Sequence, residues 1–392
     1  MTATHDDNTP IHHNMKHRFN IFLTASVAAL CALAFFPARL QAAPPQYTVT
    51  DLGTLGGSNS FGVGINASGQ VTGYSYITGD NDYHAFLYNG TSMSSLGTVG
   101  GNYSDGYGIN ASGQVTGRSY TSGNVGQRAF LYNGTNMTSL GTLPGGANSV
   151  GYGINNSGYV TGRSFFTGNT VEHAFLYNGT SMFDLGTFGG SSSAGIGINN
   201  SGQVTGYAWL TGDTGAHAFL YSGTSLLDLG TLGGPISIGY GVNASGAVTG
   251  HSNTTSNIGI GHAFLYSGAG MADLGTLGGT SSTGYGINAT GDVAGNSDLS
   301  GGSVSHGFLY TGGTMYDLNS LVTPGSGITD IALGGHGNPS AYGNSINDSG
   351  QIAAYGTIGG NYHALLLTPT PEPGSALLLL GGAALLGLRR RH

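Results

Sequence analysis

Cysteine, tryptophan, lysine and charge of either sign are all scarce in this sequence. It has one cysteine, Cys31, one tryptophan, Trp209, and one lysine, Lys16, and only 7% of its residues are charged. Cys31 lies in an apolar stretch near the N-terminus, so the rest of the chain has no disulfide, zinc–thiolate or cysteine-nucleophile chemistry. Between residues 43 and 369, fourteen Asp or Glu stand against three basic residues, Arg118, Arg128 and Arg163. A nucleic-acid groove replaces condensed counterions with Lys and Arg, and that balance excludes one. Stability has to come from packing and backbone pairing.

Glycine, by contrast, is abundant, at 75 residues, and it sits at fixed places in a repeat rather than in low-complexity runs. The phrase His84-Ala85-Phe86-Leu87-Tyr88 returns at Arg128, His173, His217, His262, His306 and His363. A second phrase, Asp51-Leu52-Gly53-Thr54-Leu55-Gly56-Gly57, is echoed around Leu96, Leu140, Leu185, Leu229, Leu274 and Leu318, at intervals of 44 or 45 residues. The third, Gly64-Ile65-Asn66-Ala67-Ser68-Gly69, places its asparagine again at Asn110, Asn155, Asn199, Asn243, Asn288 and Asn347. Its last interval is 59, so about fifteen extra residues follow Leu318.

Each unit reads as four short strands. The first ends near Gly64-Ile65-Asn66, and Asn-Ala-Ser-Gly makes a tight turn in which Asn and Gly tolerate positive φ. Gln70 to Tyr76 is the second strand, His84 to Tyr88 the third, and Met93 to Leu96 the fourth after an Asn89-Gly90 hairpin signal. Apolar residues on both faces of the third strand (Ala85 and Leu87, Phe86 and Tyr88) imply cover on both sides, as between neighbouring blades. Four strands per ~44 residues, seven times, predict an all-β, seven-bladed β-propeller. Tyr47 to Leu52 is a fourth strand without its first three, and the chain ends its repeat near Leu367 with three strands and no fourth. Joining the two closes the ring through the N-terminal strand and removes an exposed edge. An open β-solenoid is the competing architecture, with no use for that displaced strand.

On these three phrases the chain resembles the HAF repeat of bacterial extracellular proteins over residues 47 to 367, departing at Arg128, Gly307 and Leu365. The resemblance implies a secreted surface repeat protein and transfers no catalytic residues.

The ends carry address signals. Lys16 and Arg18 precede an apolar run from Ile21 to Phe36 and small residues near Ala42, a secretory signal pattern with Met1 or Met15 as the start. An uncleaved anchor is the competing reading. At the other end Pro371-Glu372-Pro373 precedes an apolar run from Ser375 to Leu388 and then Arg389-Arg390-Arg391. This order resembles the PEP-CTERM sorting signal of Gram-negative bacteria. It implies exosortase and the secretion machinery as partners, transient inner-membrane association, and delivery to the cell surface or matrix; a permanent transmembrane tail anchor is the alternative. The expected organisation is a leader over 1–42, the propeller over 43–369 and the sorting segment over 370–392.

The recurrent histidines are too far apart, blade to blade, to ring one metal ion, and their expected role is a hydrogen bond within each blade. Asn66, Asn89 and Asn178 create Asn-x-Ser/Thr matches that read as turn chemistry. With the first strand innermost, the loops joining strands two to three and four to one share one face, the candidate binding face. It would carry Asp80, Asn81, Asp82 and Tyr83 in the first blade, Glu172 in the third, and Trp209 with Asp213 in the fourth. Asp80-Asn81-Asp82 could offer oxygens to calcium, yet no loop consensus is present, and no cofactor is expected. Behind the Thr-Gly of the second strand (Ala294-Gly295 in the sixth unit) the residue changes, through Tyr74, Arg118, Arg163, Tyr207, His251 and Asn296. Rings and hydrogen-bonding groups of this kind suit a sugar, while packing between blades is the plainer reading. The resulting expectation is a non-enzymatic protein that binds exopolysaccharide through many weak sites. A polysaccharide hydrolase or lyase, and a structural coat without a ligand, are the alternatives.

Overall fold

The computed structural model describes residues 44–255, 260–302, 304–323, 325–334 and 344–371. The leader and the sorting segment beyond Pro371 lie outside them, and so do the apolar stretches expected to meet a membrane. Among the described residues no helix is long and apolar enough to cross one.

The fold is an all-β propeller. Its first blade shows how the repeat makes a sheet, with strands β2 (Gly56–Ile65), β3 (Val71–Ile77), β4 (Tyr83–Tyr88) and β5 (Met93–Ser95) pairing antiparallel in chain order. The register runs from Ile65↔Val71 outward to Gly56↔Ile77, and then from Val71↔Tyr88 to Tyr76↔Tyr83. Five more sets repeat this order up to Asp317, the last two sharing a single parallel contact, Gly261↔Ser281. The seventh described set is the seam. Strand β1 (Tyr47–Asp51) pairs antiparallel with Asn361–Pro369, which pairs with Ile352–Ile358 and then Thr329–Ala332. The N-terminal strand therefore fills the outer place of the last sheet, as the displaced half-repeat predicts.

The innermost strands touch one another backbone to backbone. A Cβ on Gly153 would lie 2.7 Å from the carbonyl oxygen of Ile196 in the next blade, so only glycine allows the approach. The axis holds only a small cavity of about 70 Å³, lined by Ile109, Tyr152, Ile196 and Tyr240, with Asn344 also on its wall.

Three side chains of the repeat stitch blade to blade. Each recurrent asparagine, among them Asn66 and Asn110, is buried. Asn66 Oδ1 accepts from the N–H groups of Ser68 and Gln70 and so shapes its own turn, while Nδ2 donates 2.9 Å to the Asn110 carbonyl. The same donation links Asn110 to Asn155, Asn155 to Asn199, Asn199 to Asn243, Asn243 to Asn288, and Asn347 back to Asn66. Of the Asn and Gly expected to tolerate positive φ in this turn, Gly69 takes it, at +76°, and the asparagine serves as donor and acceptor.

The second stitch is a buried serine. Ser104 Oγ accepts from Ala85 N–H at 2.9 Å and donates to the Gly97 carbonyl at 2.6 Å, and Ser60, Ser149, Ser193, Ser237 and Ser282 do the same at their junctions. The third is apolar: Phe130, fully buried, packs with Ala85, Leu96, Ile109 and Val115. Full burial of such a side chain contributes about 1.5–3 kcal/mol.

The extra residues after Leu318 remodel the seam. Asp317 caps the short helix α1 (Leu318–Leu321) by accepting from Asn319 N–H, and Leu318 and Leu321 enter a core with Tyr47, Ile331 and Leu333. Among the described residues no serine makes this bond at the junction; Asn319 holds Ile331, accepting from its N–H and donating to its carbonyl. The insertion is thus in part packed into the seam, and Asn344, where the described residues resume, stands at the axis. Asn344 accepts from Ile65 N–H through its carbonyl and from Ile287 N–H through its side chain, joining the blades on either side.

Candidate functional site

The histidines of the third strand are structural. His173, His217, His262, His306 and His363 each place Nδ1 2.8–3.0 Å from a fourth-strand carboxylate, Asp184, Asp228, Asp273, Asp317 and Asp51 respectively. The first blade uses His84 and Ser95 at 2.8 Å. Arg128, whose fourth-strand neighbour is Ser139, donates to the Ala147 and Gln127 carbonyls. The hydrogen-bonding role expected of this position holds, within one four-stranded set for the histidines and across to the Ala147 loop for Arg128.

The loops joining strands two to three lie against those joining four to one, and the expected face is therefore built. It is also tied down. Asp80, at φ +56°, accepts from Ser58 N–H at 2.7 Å, and Asp213, at φ +54°, accepts from Ser191 N–H at 2.8 Å. Asn124 and Asn169 do the same for Asn102 and Ala147. The sequence carries this tether as Thr/Ser-Gly-Asp/Asn four times, ending at residues 80, 124, 169 and 213, with the glycine and the acceptor both at positive φ. Asp82 accepts from Asn102 Nδ2 at 3.0 Å and links the first blade to the second. The carboxylates offered for calcium are thus engaged in loop bonds, and among the described residues no group of three or more His, Cys, Asp or Glu could hold a metal ion.

The variable position behind Thr-Gly turns out to lie between blades. Tyr74 is 5% exposed and stacks on Phe61 with ring centroids 4.8 Å apart, which leaves little ring face for a ligand. Burial, and secondarily the nearby Asp105 carboxylate, push its hydroxyl well above the ordinary tyrosine range. In the seam blade Tyr355 holds the same register, and burial with Tyr362 beside it pushes it up to about 12. Arg118 donates from Nε to Asp105 Oδ2 at 2.7 Å, and Asp105 is wholly buried. Arg163 donates from Nη1 to both oxygens of Glu172, at 2.9 and 3.1 Å, and the Tyr207 hydroxyl stands 3.4 Å from Glu172 Oε1. The hydrogen-bonding capacity that sequence reasoning offered to sugar hydroxyls at Tyr74, Arg118 and Arg163 is largely taken up inside the fold. The partners Asp105 and Glu172 become visible only once the register pairs them, Asp105 opposite Arg118 and Glu172 one strand from Arg163.

Tyr83 and Trp209 remain half-buried on the loop face. Tyr83 sits among Tyr74, Tyr76 and Tyr103, at centroid distances of 5.5, 5.7 and 4.9 Å, and Tyr103 meets Tyr120 at 5.6 Å. Sequence reasoning missed Tyr76, Tyr103 and Tyr120 in this role, because Tyr103 reaches Tyr83 only across a blade boundary. On the opposite side, where the Asn-x-Ser-Gly turns lie, a cavity of about 280 Å³ beside the seam is lined in part by Asp292 and Asp348. Both carboxylates belong to turn bonds, Asp292 accepting from Asn288 and Thr290 and Asp348 from Ala289 N–H.

No protein-family model and no characterised protein matches the chain in sequence. Among solved structures it is similar to the β-propeller domain of the trilobed protease from Pyrococcus furiosus, described as having an open velcro topology. The TM-score is 0.50 at 10% identity, over 79% of this chain and 93% of that one. It also aligns with a gluconolactonase from Xanthomonas campestris, at TM-score 0.39 and 8% identity over 84% and 95% of the two chains. A Trypanosoma rangeli sialidase aligns at 0.39 and 8%, over 79% of this chain and 54% of that one. At 10% identity the first likeness establishes the propeller fold alone.

Proposed function

We propose that the protein is a non-enzymatic repeat protein of the cell surface or extracellular matrix of a Gram-negative bacterium, which holds neutral exopolysaccharide on its loop face. The observation that carries this reading is the pairing of half-buried rings with neutralised cations on one tethered face. Tyr83 and Trp209 are there, while Arg118 and Arg163 are held by Asp105 and Glu172. Rings stack on the apolar faces of pyranoses, and with Arg118 and Arg163 answered by carboxylates, the loop carboxylates Asp80, Asp82 and Asp213 outweigh Arg128, which meets only carbonyls, so the face has little attraction for acidic polymers. The address rests on the sequence ends, through the signal pattern before Ala42 and the resemblance of Pro371-Glu372-Pro373 with Arg389-Arg390-Arg391 to an exosortase substrate.

Co-sedimentation with an insoluble neutral glucan and with a uronate-rich polymer tests the binding half. Retention on the neutral polymer alone is expected, and preference for the uronate would overturn it. For the address, removing residues 372–392 is expected to leave the protein unsorted, and unchanged surface delivery in that strain argues against exosortase. A hydrolase or lyase is the second reading, favoured by a hydrogen-bonded carboxylate–tyrosine pair on this side, Glu172 and Tyr207. Polymer shortening abolished by Glu172→Gln is its signature.

A further inference from the structure

The position two residues past the variable one, beside each two-to-three loop, is fixed by register as Tyr76↔Tyr83, Tyr120↔Gln127, Phe165↔Glu172, Trp209↔Ala216, Asn253↔Gly261, Asp298↔Ser305 and Thr357↔Tyr362. On its second-strand side it is aromatic in four consecutive blades and polar in the other three. In four sets its Cβ stands against the second glycine of the blade's own Gly-Gly, so that a Cβ on Gly57, for example, would lie 2.7 Å from Tyr76 Cβ; at Gly101 and Gly146 it is the backbone of Tyr120 and Phe165 that lies alongside. The fold itself has no need of a ring there, since Asn253, Asp298 and Thr357 complete the same sheet geometry. Yet Tyr76, Tyr120, Phe165 and Trp209 all keep part of their surface in solvent.

Building on the polysaccharide reading above, we propose that Tyr76, Tyr120, Phe165 and Trp209 form a track across the first four blades on which successive rings of a linear, neutral glycan stack. Tyr83 and Tyr103 bridge the first two members of the row, at centroid steps of 5.7, 4.9 and 5.6 Å, so that end is a continuous aromatic platform. A row taken from equivalent places in adjacent blades suits an extended chain rather than a compact ligand. Its charge selects a neutral one. Asp80, Asp82 and Asp213 stand in the loops beside it, while Arg118 and Arg163 are consumed by Asp105 and Glu172. An acidic polymer would meet like charge there.

The single tryptophan of the chain is a member of the row, so its fluorescence reports on the site without labelling. The full-length protein is titrated with cellulose- and galactan-derived di-, tetra- and hexasaccharides, following Trp209 emission. A saturable emission change is expected, with affinity rising about tenfold or more with length in at least one series. Tyr76→Ser and Tyr120→Ser should each lower hexasaccharide affinity about tenfold while sparing the disaccharide response at Trp209. Tyr76→Phe should bind as the parent does, and so should Phe183→Ser, which removes a ring 51% exposed on the outer edge of the third blade. Matching circular dichroism and melting of the variants separate lost stacking from lost folding. Glucan retention in sedimentation with a silent Trp209, or folded Tyr76→Ser and Tyr120→Ser proteins that bind like the parent, would overturn the track and leave the polysaccharide reading standing. No binding of any neutral polymer or oligosaccharide by either method overturns both.

Discussion

Asp105 has no exposed surface, and its carboxylate answers a guanidinium that is itself largely covered. Removing one partner of such a pair leaves a buried charge alone, so Asp105→Ala should cost about 3–5 kcal/mol in chemical denaturation. The double change Asp105→Ala, Arg118→Met should recover much of that loss, because an apolar pair of similar volume needs no desolvated charge. His251 gives a pH dependence. Burial holds its pKa below the ordinary value of about 6.5, although its Nδ1 donates to the Ser282 carbonyl at 3.0 Å. Below that pH the unfolded chain takes up the proton first, so this contribution is present above about 6.5 and is lost as pH falls toward the depressed folded value. His84 is shifted the same way by burial and adds to the slope. Urea midpoints measured from neutral to mildly acidic pH should therefore fall, and His251→Asn should fall less steeply; an equal slope in the variant contradicts the assignment. At this scale the sequence is only half legible. It marks Tyr74, Arg118 and Arg163 as a variable position, but whether such a residue faces a ligand or a neighbour depends on register, which no local pattern contains.

The strands and turns were far more legible, because each repeat phrase encodes one element and the period forces seven agreeing readings of it. What stayed hidden is the chemistry between elements. Ser193 reads as one serine among several, yet its hydroxyl satisfies Ala174 N–H at 2.9 Å and donates to the Gly186 carbonyl at 2.6 Å, two blades joined by one atom. Ser193→Ala leaves the buried Ala174 N–H and the half-buried Gly186 carbonyl without that partner, a loss of about 1–3 kcal/mol readable as a lower melting temperature. Ser193→Thr, which keeps the hydroxyl, is expected to lose less. Strand β1 makes a stronger statement. Five residue pairs tie it to Asn361–Pro369, Tyr47 is 1% exposed, and Asp51 receives His363. Deleting residues 44–52 exposes the Asn361–Pro369 edge, and the expected outcome is protease sensitivity at the seam with self-association in size exclusion. A monomer that resists protease as the parent does would show that the N-terminal strand is dispensable to closure.

For the molecule as a whole, composition excluded more than it identified. Scarce charge set nucleic acid aside, and the displaced half-repeat at the N-terminus foretold how the ring is joined. The insertion after Leu318 was visible only as an irregular interval, since nothing in its residues says that Leu318 and Leu321 would enter the seam core or that Asn344 would reach the axis. The loop face proposed to bind was legible as a place, from loops that vary where the rest repeats. Its membership was not, because aromatic neighbours such as Tyr83 and Tyr103 come from different blades. The central claim is that this face retains polymer and does no chemistry on it. Its most direct test is to mix the protein with exopolysaccharide from the producing organism, measuring co-sedimented protein and polymer chain length together. The account predicts retention that neutral oligosaccharides compete away, with chain length unchanged; shortening of the polymer, or no retention at all, contradicts it.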